Sequence, residues 1–232
     1  MILQKYEELP QTMKNDKVKE YYDILYKKRI NLVIKRCFDI IFSILLLILI
    51  SPILLIMAIL IKIDSRGPVF YRQERVTTNG KIFRIFKFRT MVQNADKMGT
   101  LVTVANDNRI TRMGKLIRKT RLDELPQVIN VFLGDMSFVG TRPEVKKYVD
   151  CYTDEMKATL LMPAGVTSIA SIKYKDEDKI LDNAVKEGKN IDLAYVEDVL
   201  PEKMKYNLEY INKFSFFYDV KVCIDTVFGV LR

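Results

Sequence analysis

Two adjacent acids, Asp123 and Glu124, are the residues of this sequence best suited to chemistry. Side chains one position apart on a helix or tight turn point about 100° apart, so one carboxylate can face a substrate while its neighbour binds a metal or orients the first. A carboxylate is a competent nucleophile toward phosphorus and forms an acyl phosphate. Because the attacking anion and a phosphate repel each other, this chemistry requires Mg²⁺ together with Arg or Lys donors. An isolated Asp-Glu dipeptide is common on protein surfaces, so the pair predicts a site only in a suitable context.

The composition excludes several other kinds of site. The chain has no His, which rules out imidazole base catalysis and His-ligated zinc, so carboxylates must supply any acid, base or nucleophile. Carboxylate oxygens are hard ligands that favour Mg²⁺ over zinc. Cys37, Cys151 and Cys223 lie far apart and form no C-x-x-C pair. Neither a metal knuckle nor a disulfide framework is expected, and a reduced, cytosol-facing setting is the simpler interpretation.

Basic residues provide the context that the acid pair needs. The 232-residue chain has 38 Lys and Arg against 29 Asp and Glu, a formal charge of +9, which suits nucleic acid, anionic lipid headgroups or phosphorylated substrates. After the pair, the turn at 140–143 projects Arg142, and Arg is the side chain best shaped for bidentate phosphate binding. Most of the individual cations are expected to be solvated charges. Those that precede the pair are Arg109, Arg112, Lys115, Arg118, Lys119 and Arg121.

A long apolar run occupies 40–63, with Ser51 and Pro52 at its middle. As one helix it would reach roughly 36 Å at ~1.5 Å per residue, enough to cross a ~30 Å hydrocarbon core. Pro52 removes the hydrogen bond to the Ile48 carbonyl, and Ser51 can bond a freed carbonyl one turn back. Basic residues flank the run on both sides, whereas a crossing segment usually carries them on the cytoplasmic side only. Sequence physics therefore leaves two equal alternatives, a hairpin that dips into one leaflet and a Pro-kinked span.

Two further segments are amphipathic. Each has apolar residues at helical spacing, and each can lie at the water–lipid boundary, where Tyr is favoured, or pack on the protein's own core. The N-terminal stripe consists of Val18, Tyr21, Tyr22, Leu25 and Tyr26. The C-terminal stripe consists of Phe217, Val220, Ile224, Val227, Phe228 and Leu231.

From Asp64 onward, the sequence predicts a fold of mixed helices and strands without internal repeats. The sequence at 67–68 marks a turn, 69–71 a short extended segment and 77–80 a tight hairpin turn. The segment 81–89 is ambiguous in period, and its dense aromatic residues favour a strand. No strand pattern recurs with βαβ spacing, so a Rossmann-type fold is not expected. The helical patterns cover Met113 to Lys119, Glu124 to Phe132, Glu144 to Leu160 and Glu202 to Asn212.

Several blocks between Lys35 and the C-terminus resemble the bacterial sugar transferase family, the monotopic polyprenyl-phosphate phosphoglycosyl transferases. The most specific blocks are LDELPQ at 122–127 and GDMSFVGTRPE at 134–144. The others are KRCFD at 35–39, the central Ser51-Pro52, GPVFYRQERV at 67–76, Gly80-Lys81-x-Phe83, KFRTM at 87–91 and Asn108-Arg109-Ile110-Thr111-x-x-Gly114. The residues that precede Lys35 lie outside the resemblance.

The resemblance implies an α/β fold that is mostly α. The expected protein is monotopic, with a re-entrant helix-break-helix hairpin broken at Ser51 and Pro52, a small cytosolic catalytic domain and interfacial amphipathic helices. An N-terminal arm with an amphipathic helix is expected over 1–34, the re-entrant membrane helix over 35–63 and the catalytic domain over 64–232. The implied location is the cytoplasmic face of the inner or plasma membrane.

The resemblance also implies an activity, the transfer of a sugar 1-phosphate from a UDP-sugar to polyprenyl (undecaprenyl) phosphate with release of UMP. This is the first membrane step of surface polysaccharide or glycoconjugate synthesis. The resemblance implies that Asp123 is the nucleophile, which forms a covalent phosphosugar intermediate. It also implies that Asp123 is a ligand of the Mg²⁺ cofactor and that Glu124 is the acidic partner of Asp123. Membrane lipids are expected partners, nucleic acid is not, and a homo-oligomer is left open. The candidate substrate-binding residues are Lys81, Lys87, Arg89, Arg109, Arg112 and Arg142.

Three places depart from the family pattern. Thr77 stands where Gly often follows Arg-Val, Asn207 stands where Asp is common, and 165–171 reads GVTSIAS where G-I-T-G-x-A-Q is frequent. These departures put in doubt which sugar and nucleotide are recognised, while the acids and the Arg-Pro turn are intact.

Two other functions remain as alternatives. A nucleic-acid-binding protein would explain the charge and the alternation of Lys and aromatic residues in 81–89. A non-catalytic, membrane-anchored basic scaffold would explain the apolar run and the charge. Neither explains the LDELPQ block around the acid pair.

Overall fold

The structure is a computed structural model that describes residues 3–95, 107–174 and 177–231. Most of this part of the chain is helical, as predicted, and its strands form three two-stranded sheets. The helices are α1 (Asp16–Lys27), α2 (Arg29–Asp64), α3 (Arg112–Lys119), α4 (Gln127–Leu133), α5 (Lys146–Val149), α6 (Ile169–Lys173), α7 (Glu177–Lys186), α8 (Ile191–Ala194), α9 (Leu200–Lys213) and α10 (Phe216–Leu231). The strands are β1 (Phe70–Tyr71), β2 (Glu74–Val76), β3 (Ile82–Arg84), β4 (Lys87–Phe88), β5 (Met136–Val139) and β6 (Ala164–Thr167).

The amphipathic helix near the N-terminus is α1, and its apolar face packs on the protein's own core. Asn15 caps the first turn by accepting a hydrogen bond from the Val18 N–H at 2.9 Å. Val18 and Leu25 are fully buried and Tyr22 nearly so. They belong to the same hydrophobic cluster as residues of α9 and of the 3-10 turn Met156–Leu161. Of the two alternatives for this helix, the structure shows core packing.

The apolar run forms α2, one helix that continues through Pro52. It is long and apolar enough to cross a membrane, and side chains near its middle are exposed, including Ile48 at 68% and Leu49 at 74%. Ser51 Oγ donates to the Ile48 carbonyl at 2.9 Å. This is the carbonyl that Pro52, which has no N–H, leaves without its helical partner. The hydrogen bond predicted for Ser51 is therefore present, and the helix-break-helix path stays a prediction.

Both halves of α2 pack on the rest of the protein. In the first half, Arg36 donates to two carbonyls of α4 at 2.7 and 3.0 Å. In the second half, Met57 and Ile61 pack in a cluster with Ile117 of α3. The helix is therefore attached to the protein body near both ends, while most of the large apolar side chains between these attachments are exposed.

A buried ion pair fixes the first half of α2. Lys35 Nζ lies 2.6 Å from Asp219 Oδ2 of α10 and donates to the Val139 carbonyl of β5, also at 2.6 Å. Tyr210 of α9 donates to the other Asp219 oxygen at 2.7 Å. Burial raises the pKa of Asp219, and the contacts with Lys35 and Tyr210 oppose this rise because they stabilise the carboxylate. The network joins four elements around one carboxylate.

The predicted hairpin is present. β2 and β3 pair antiparallel across the turn Thr78–Gly80, in which Asn79 has φ +58° and Gly80 has φ +75°. Asn and Gly are the residues that adopt positive φ most readily. The predicted strand at 81–89 forms as β3 and β4 with a break between them, where the Phe86 N–H donates to Asn130 Oδ1 at 2.7 Å. β4 pairs antiparallel with β1.

The single helix predicted over 144–160 is wrong. Only Lys146–Val149 is α-helical there, and the 3-10 turn Met156–Leu161 follows. Residues at the consecutive positions 158–161 are all buried, so they fill the core as a block and not as one face of a helix. The segment returns the chain so that β6 pairs parallel with β5, a pairing that the sequence pattern did not reveal.

The apolar stripe of α10 is exposed. Phe217 and Phe228 are 83% and 63% exposed, while Val222 on the other side of the helix is buried in the core. Next to the stripe, Phe216 of α10 contacts α2, since its ring centroid lies 5.5 Å from that of Phe38. The side chains of two stripe positions, Val227 and Leu231, lie outside the described part of the structure.

Candidate active site

Asp123 and Glu124 lie in a tight turn between α3 and α4. After α3 ends, Arg121 takes a left-handed backbone conformation with φ +53°, and Leu122–Glu124 form a 3-10 turn. A non-glycine residue at positive φ costs about 1 to 3 kcal/mol and persists where surrounding contacts hold it. The two carboxylates are therefore presented from a short 3-10 turn between the α-helices.

Lys87 anchors Glu124 from the neighbouring strand β4. Its Nζ lies 2.7 Å from Glu124 Oε1, across 37 positions of sequence. Burial alone would raise the pKa of Glu124, but the charge of Lys87, with those of Arg142 and Arg121, brings the pKa below its ordinary value. Glu124 is therefore ionised at neutral pH.

Asp123 has a different environment. Burial and the adjacent charge of Glu124 raise its pKa, and Lys87 and Arg118 offset this rise only in part. Environments that push the pKa values of two neighbouring acids apart are typical of sites in which the acids have different roles. Of the two carboxylates, Asp123 is the one whose negative charge the protein compensates less.

A cavity of about 560 Å³ opens on the Asp123 side of the turn, within the size range of ligand sites. Of the acid pair, only Asp123 is among the residues that line it. Three aromatic side chains, Phe70, Tyr71 and Phe88, form part of its wall. The cations among the described lining residues are Arg72, Arg75, Lys87, Arg89, Arg109 and Arg118.

Arg118 is a cation of this cavity that sequence reasoning did not single out. It is half-buried, and its Nε donates to Thr90 Oγ1 at 2.8 Å. Burial lowers the pKa of the guanidinium, and the charges of Asp123 and Asp107 oppose the change. In the sequence Arg118 is one of several cations on α3, so only the packing of the helix shows that it lines the cavity beside Asp123.

Arg89 is buried beneath the turn at 67–68. Its Nη2 donates to the carbonyl and the Oγ of Ser65 at 2.7 and 2.8 Å, whereas its Nε and Nη1 have no partner within the described residues. Gly67 has φ +126°, and a Cβ there would clash with Arg89 Nη1, so glycine is required at this position. A buried guanidinium with spare N–H groups in a cavity wall is suited to an anionic ligand.

Arg142 is a predicted substrate-binding residue that is not among the described residues lining this cavity. Its side chain is exposed, and Nη1 donates to Ser171 Oγ at 3.0 Å. Its backbone N–H donates to Asn207 Oδ1 at 3.4 Å. Its charge is among those that lower the pKa of Glu124.

The remaining predicted substrate-binding residues are paired or lie farther out. Arg109 binds Asp107 through Nη2 at 2.6 Å and lowers the pKa of that carboxyl to about 2. Lys81 is 70% exposed near the hairpin turn, 3.3 Å from Asp135. Arg112 is exposed at the start of α3. Among the described lining residues of the cavity, Arg109 is present, whereas Lys81 and Arg112 are not.

The residues present fit a Mg²⁺ ion that is held jointly with a substrate. In the part of the chain that the structure describes, no group of three or more Asp, Glu, Cys or His side chains could enclose a metal. Mg²⁺ is usually bound through one or two carboxylates and through substrate phosphates, and Asp123 with Glu124 supplies that number. A cation at Asp123 would also stabilise the charged form that burial disfavours.

An acid pair between Lys and Arg side chains, beside a cavity of ligand size and close to a long apolar helix, is suited to a membrane-associated enzyme of phosphoryl-group transfer. The chain belongs to the bacterial sugar transferase family, whose model matches residues 30–232. The resemblance drawn from the sequence motifs is thereby confirmed.

Three similar proteins illustrate the family. The UDP-glucose:undecaprenyl-phosphate glucose-1-phosphate transferase of Klebsiella pneumoniae is 38% identical over 205 residues, which cover 86% of this chain and 40% of that protein. The UDP-N-acetylgalactosamine-undecaprenyl-phosphate N-acetylgalactosaminephosphotransferase of Aeromonas hydrophila is 35% identical over 203 residues, covering 85% and 44%. An uncharacterized sugar transferase of Bacillus subtilis, EpsL, is 34% identical over 200 residues, covering 86% and 88%. The chain thus matches less than half the length of the first two proteins and most of the third.

Proposed function

We propose that this protein transfers a sugar 1-phosphate from a UDP-sugar to polyprenyl (undecaprenyl) phosphate and releases UMP. The observation that carries the proposal is the position of Asp123, which lines a cationic cavity next to a second, ionised acid. The names of the Klebsiella and Aeromonas relatives describe UDP-sugars and undecaprenyl phosphate as the substrates of those proteins. The reaction would be the first membrane step of surface polysaccharide or glycoconjugate synthesis.

The chemistry proceeds in two displacements at one phosphorus atom. An oxygen of Asp123 attacks the β-phosphorus of the donor, and the bond from that phosphorus to the bridging oxygen breaks. UMP leaves with the electron pair, and the sugar phosphate stays on Asp123 as an acyl phosphate. An oxygen of polyprenyl phosphate then attacks the same phosphorus and the Asp123 carboxylate leaves, which regenerates the enzyme and yields a polyprenyl diphosphate sugar.

The surrounding cations reduce the repulsion between the attacking anion and the donor. Arg118 and Arg89 line the same cavity as Asp123 and are placed to bind the donor diphosphate. Lys87 holds Glu124 at 2.7 Å and so fixes the second acid. Asp123, with Glu124 beside it, would hold Mg²⁺, which supplies charge neutralisation for the donor diphosphate.

The protein is proposed to lie on the cytoplasmic face of the membrane, with α2 entering and leaving the same leaflet. Support comes from Pro52 at the middle of the apolar run and from the attachment of both halves of α2 to one protein body. α10 contacts α2 through Phe216 and Phe38, and the described residues of its apolar stripe are exposed. α10 is therefore placed to rest in the interface as an amphipathic helix.

The hairpin path of α2 predicts that both of its ends face the cytoplasm. Single cysteines at Arg29→Cys and Arg66→Cys, both at exposed positions, are introduced into a variant without the three native cysteines. A membrane-impermeant maleimide should label both in inverted membrane vesicles and neither in intact cells. Leu49→Cys, in the middle of the run, is the control and should stay unlabelled in both. Labelling of the two ends from opposite sides would show that α2 spans the bilayer.

The function itself is tested with purified protein in detergent, Mg²⁺, undecaprenyl phosphate and a panel of UDP-sugars. With at least one donor, we expect UMP and a polyprenyl diphosphate sugar to form in equal amounts. UMP is quantified by chromatography and the lipid product by mass spectrometry. If folded protein yields neither product with any donor in the panel, the proposal is wrong for UDP-sugars.

A further inference from the structure

Arg142 is held by a pair of serines that the proposed mechanism does not use. Its guanidinium donates through Nη1 to Ser171 Oγ at 3.0 Å, the one side-chain hydrogen bond that Arg142 makes to described residues. Arg142 is exposed, and a free Arg side chain populates many rotamers. A hydrogen bond to a fixed hydroxyl therefore selects a subset of them.

Ser171 is itself fixed by Ser168. The two hydroxyl oxygens lie 2.8 Å apart, and the Ser171 N–H donates to Ser168 Oγ at 3.0 Å. Ser168 is 1% exposed and is the N-cap of α6. The hydroxyl that accepts from Arg142 belongs to Ser171, an exposed residue, and two hydrogen bonds hold it against the buried cap residue Ser168.

A buried hydrogen-bond network holds the backbone next to Arg142. Glu144, two residues later and 4% exposed, accepts a hydrogen bond from the Tyr195 hydroxyl at 2.8 Å. Lys203 donates to the same hydroxyl at 3.0 Å and pairs with Glu177 at 2.7 Å. Because these groups are anchored on α7, α9 and the π-helical turn Tyr195–Val199, the backbone that carries Arg142 is well fixed. The Arg142 side chain keeps its rotational freedom, and the hydrogen bond to Ser171 restricts it.

We propose that Ser171 is a positioning residue of the transferase, which orients the Arg142 guanidinium for contact with a substrate phosphate. The proposal rests on the proposed function. It gives a role to two of the positions at which this chain departs from the family pattern, since Ser168 and Ser171 stand where Gly and Gln are frequent. In this chain the serine pair supplies the contact that orients the Arg of the Arg-Pro turn.

The expected effect of Ser171→Ala is a loss of about tenfold in kcat/KM, as for one hydrogen bond to a charged group. The loss should fall mainly on kcat, because a misplaced Arg stabilises the transferring phosphoryl group less. Ser171→Thr retains a hydroxyl and should restore most of the activity. The alanine variant also keeps the backbone N–H that bonds Ser168, so α6 remains capped and the thermal unfolding temperature should change little.

A double-mutant cycle distinguishes positioning from a general structural role. If Ser171 acts through Arg142, adding Ser171→Ala to Arg142→Ala should cause no further loss of kcat/KM. Ser137→Ala is the matched control, because Ser137 is buried in β5 and its hydroxyl has no partner among the described residues. That control should keep the wild-type kcat/KM.

The outcomes separate this inference from the function on which it rests. Wild-type protein that is inactive with every UDP-sugar contradicts the proposed function. Active wild type with an equally active Ser171→Ala contradicts the positioning role, and so does a loss that adds fully to that of Arg142→Ala. A loss that disappears in the Arg142→Ala background, together with recovery in Ser171→Thr, supports it.

Discussion

Asp123→Asn is expected to lose both transferase activity and the covalent sugar-phosphate adduct. Asparagine keeps the shape of the side chain but removes the anionic oxygen that attacks phosphorus, so kcat should fall by about 10⁴-fold or more. Intact-protein mass spectrometry after incubation with the donor alone measures the adduct. Wild type should gain the mass of one sugar phosphate and release one equivalent of UMP before the acceptor is added, and Asp123→Asn should do neither.

The two-step route also predicts ping-pong kinetics, since the donor product leaves before the acceptor reacts. Asp150→Asn is the matched control, because Asp150 is exposed just after α5 and pairs with Lys146 one turn back. Glu124→Gln should be severely impaired as well, since it loses the ion pair with Lys87. Sequential kinetics in an active wild type that never carries an adduct would show that the lipid phosphate attacks directly and that Asp123 serves only as a metal ligand or base.

Removal of Mg²⁺ with EDTA is expected to abolish turnover, and excess Mg²⁺ to restore it. The reason is electrostatic, since two adjacent carboxylates face a diphosphate and the described cations already pair in part with protein acids. Because Asp123 and Glu124 are too few to hold the ion without substrate phosphates, the metal should not support the fold. EDTA should therefore leave the thermal unfolding temperature unchanged.

Two controls sharpen this measurement. Zn²⁺ should restore far less activity than Mg²⁺, because the site offers carboxylate oxygens and the chain has no His. Mg²⁺ affinity, measured by titration calorimetry, should rise when an unreactive donor analogue is present. Full turnover in EDTA would contradict the metal requirement and would leave the neutralisation of the diphosphate to Arg and Lys alone.

The sequence by itself determined the features that depend on neighbouring residues. The hairpin turn follows from Asn79 and Gly80, which adopt positive φ. The hydrogen bond from Ser51 to Ile48 follows from the N–H that Pro52 lacks. The family is recognisable from short blocks such as LDELPQ, and the chain does belong to it. Each of these features depends only on residues that are close together in the chain, so the sequence is sufficient to predict it.

Only the tertiary structure decided which cations meet the acids. Lys87 reaches Glu124 across 37 positions, and on α3 it is Arg118 that lines the cavity beside Asp123, while Arg112 of the same helix is exposed. Several Lys and Arg residues precede the acid pair at similar spacing, so the sequence does not show which of them lie close to the acids. What selects among them is the rotation of α3, which is set by the packing of Ile117 against α2 and β4 and by the close approach of Gly114 to the Thr90 backbone.

The same distinction holds for the apolar segments and the sheet. The face of α1 that sequence analysis left open is buried because α9 and the 3-10 turn Met156–Leu161 cover it. Between the paired strands β5 and β6, residues 158–161 are buried at consecutive positions, whereas the helix predicted there would bury one face only. The spacing of apolar residues predicts which face of a helix or strand is buried, but not which element covers that face. Which element covers a given face depends on distant parts of the chain, and that contact exists only in the folded protein.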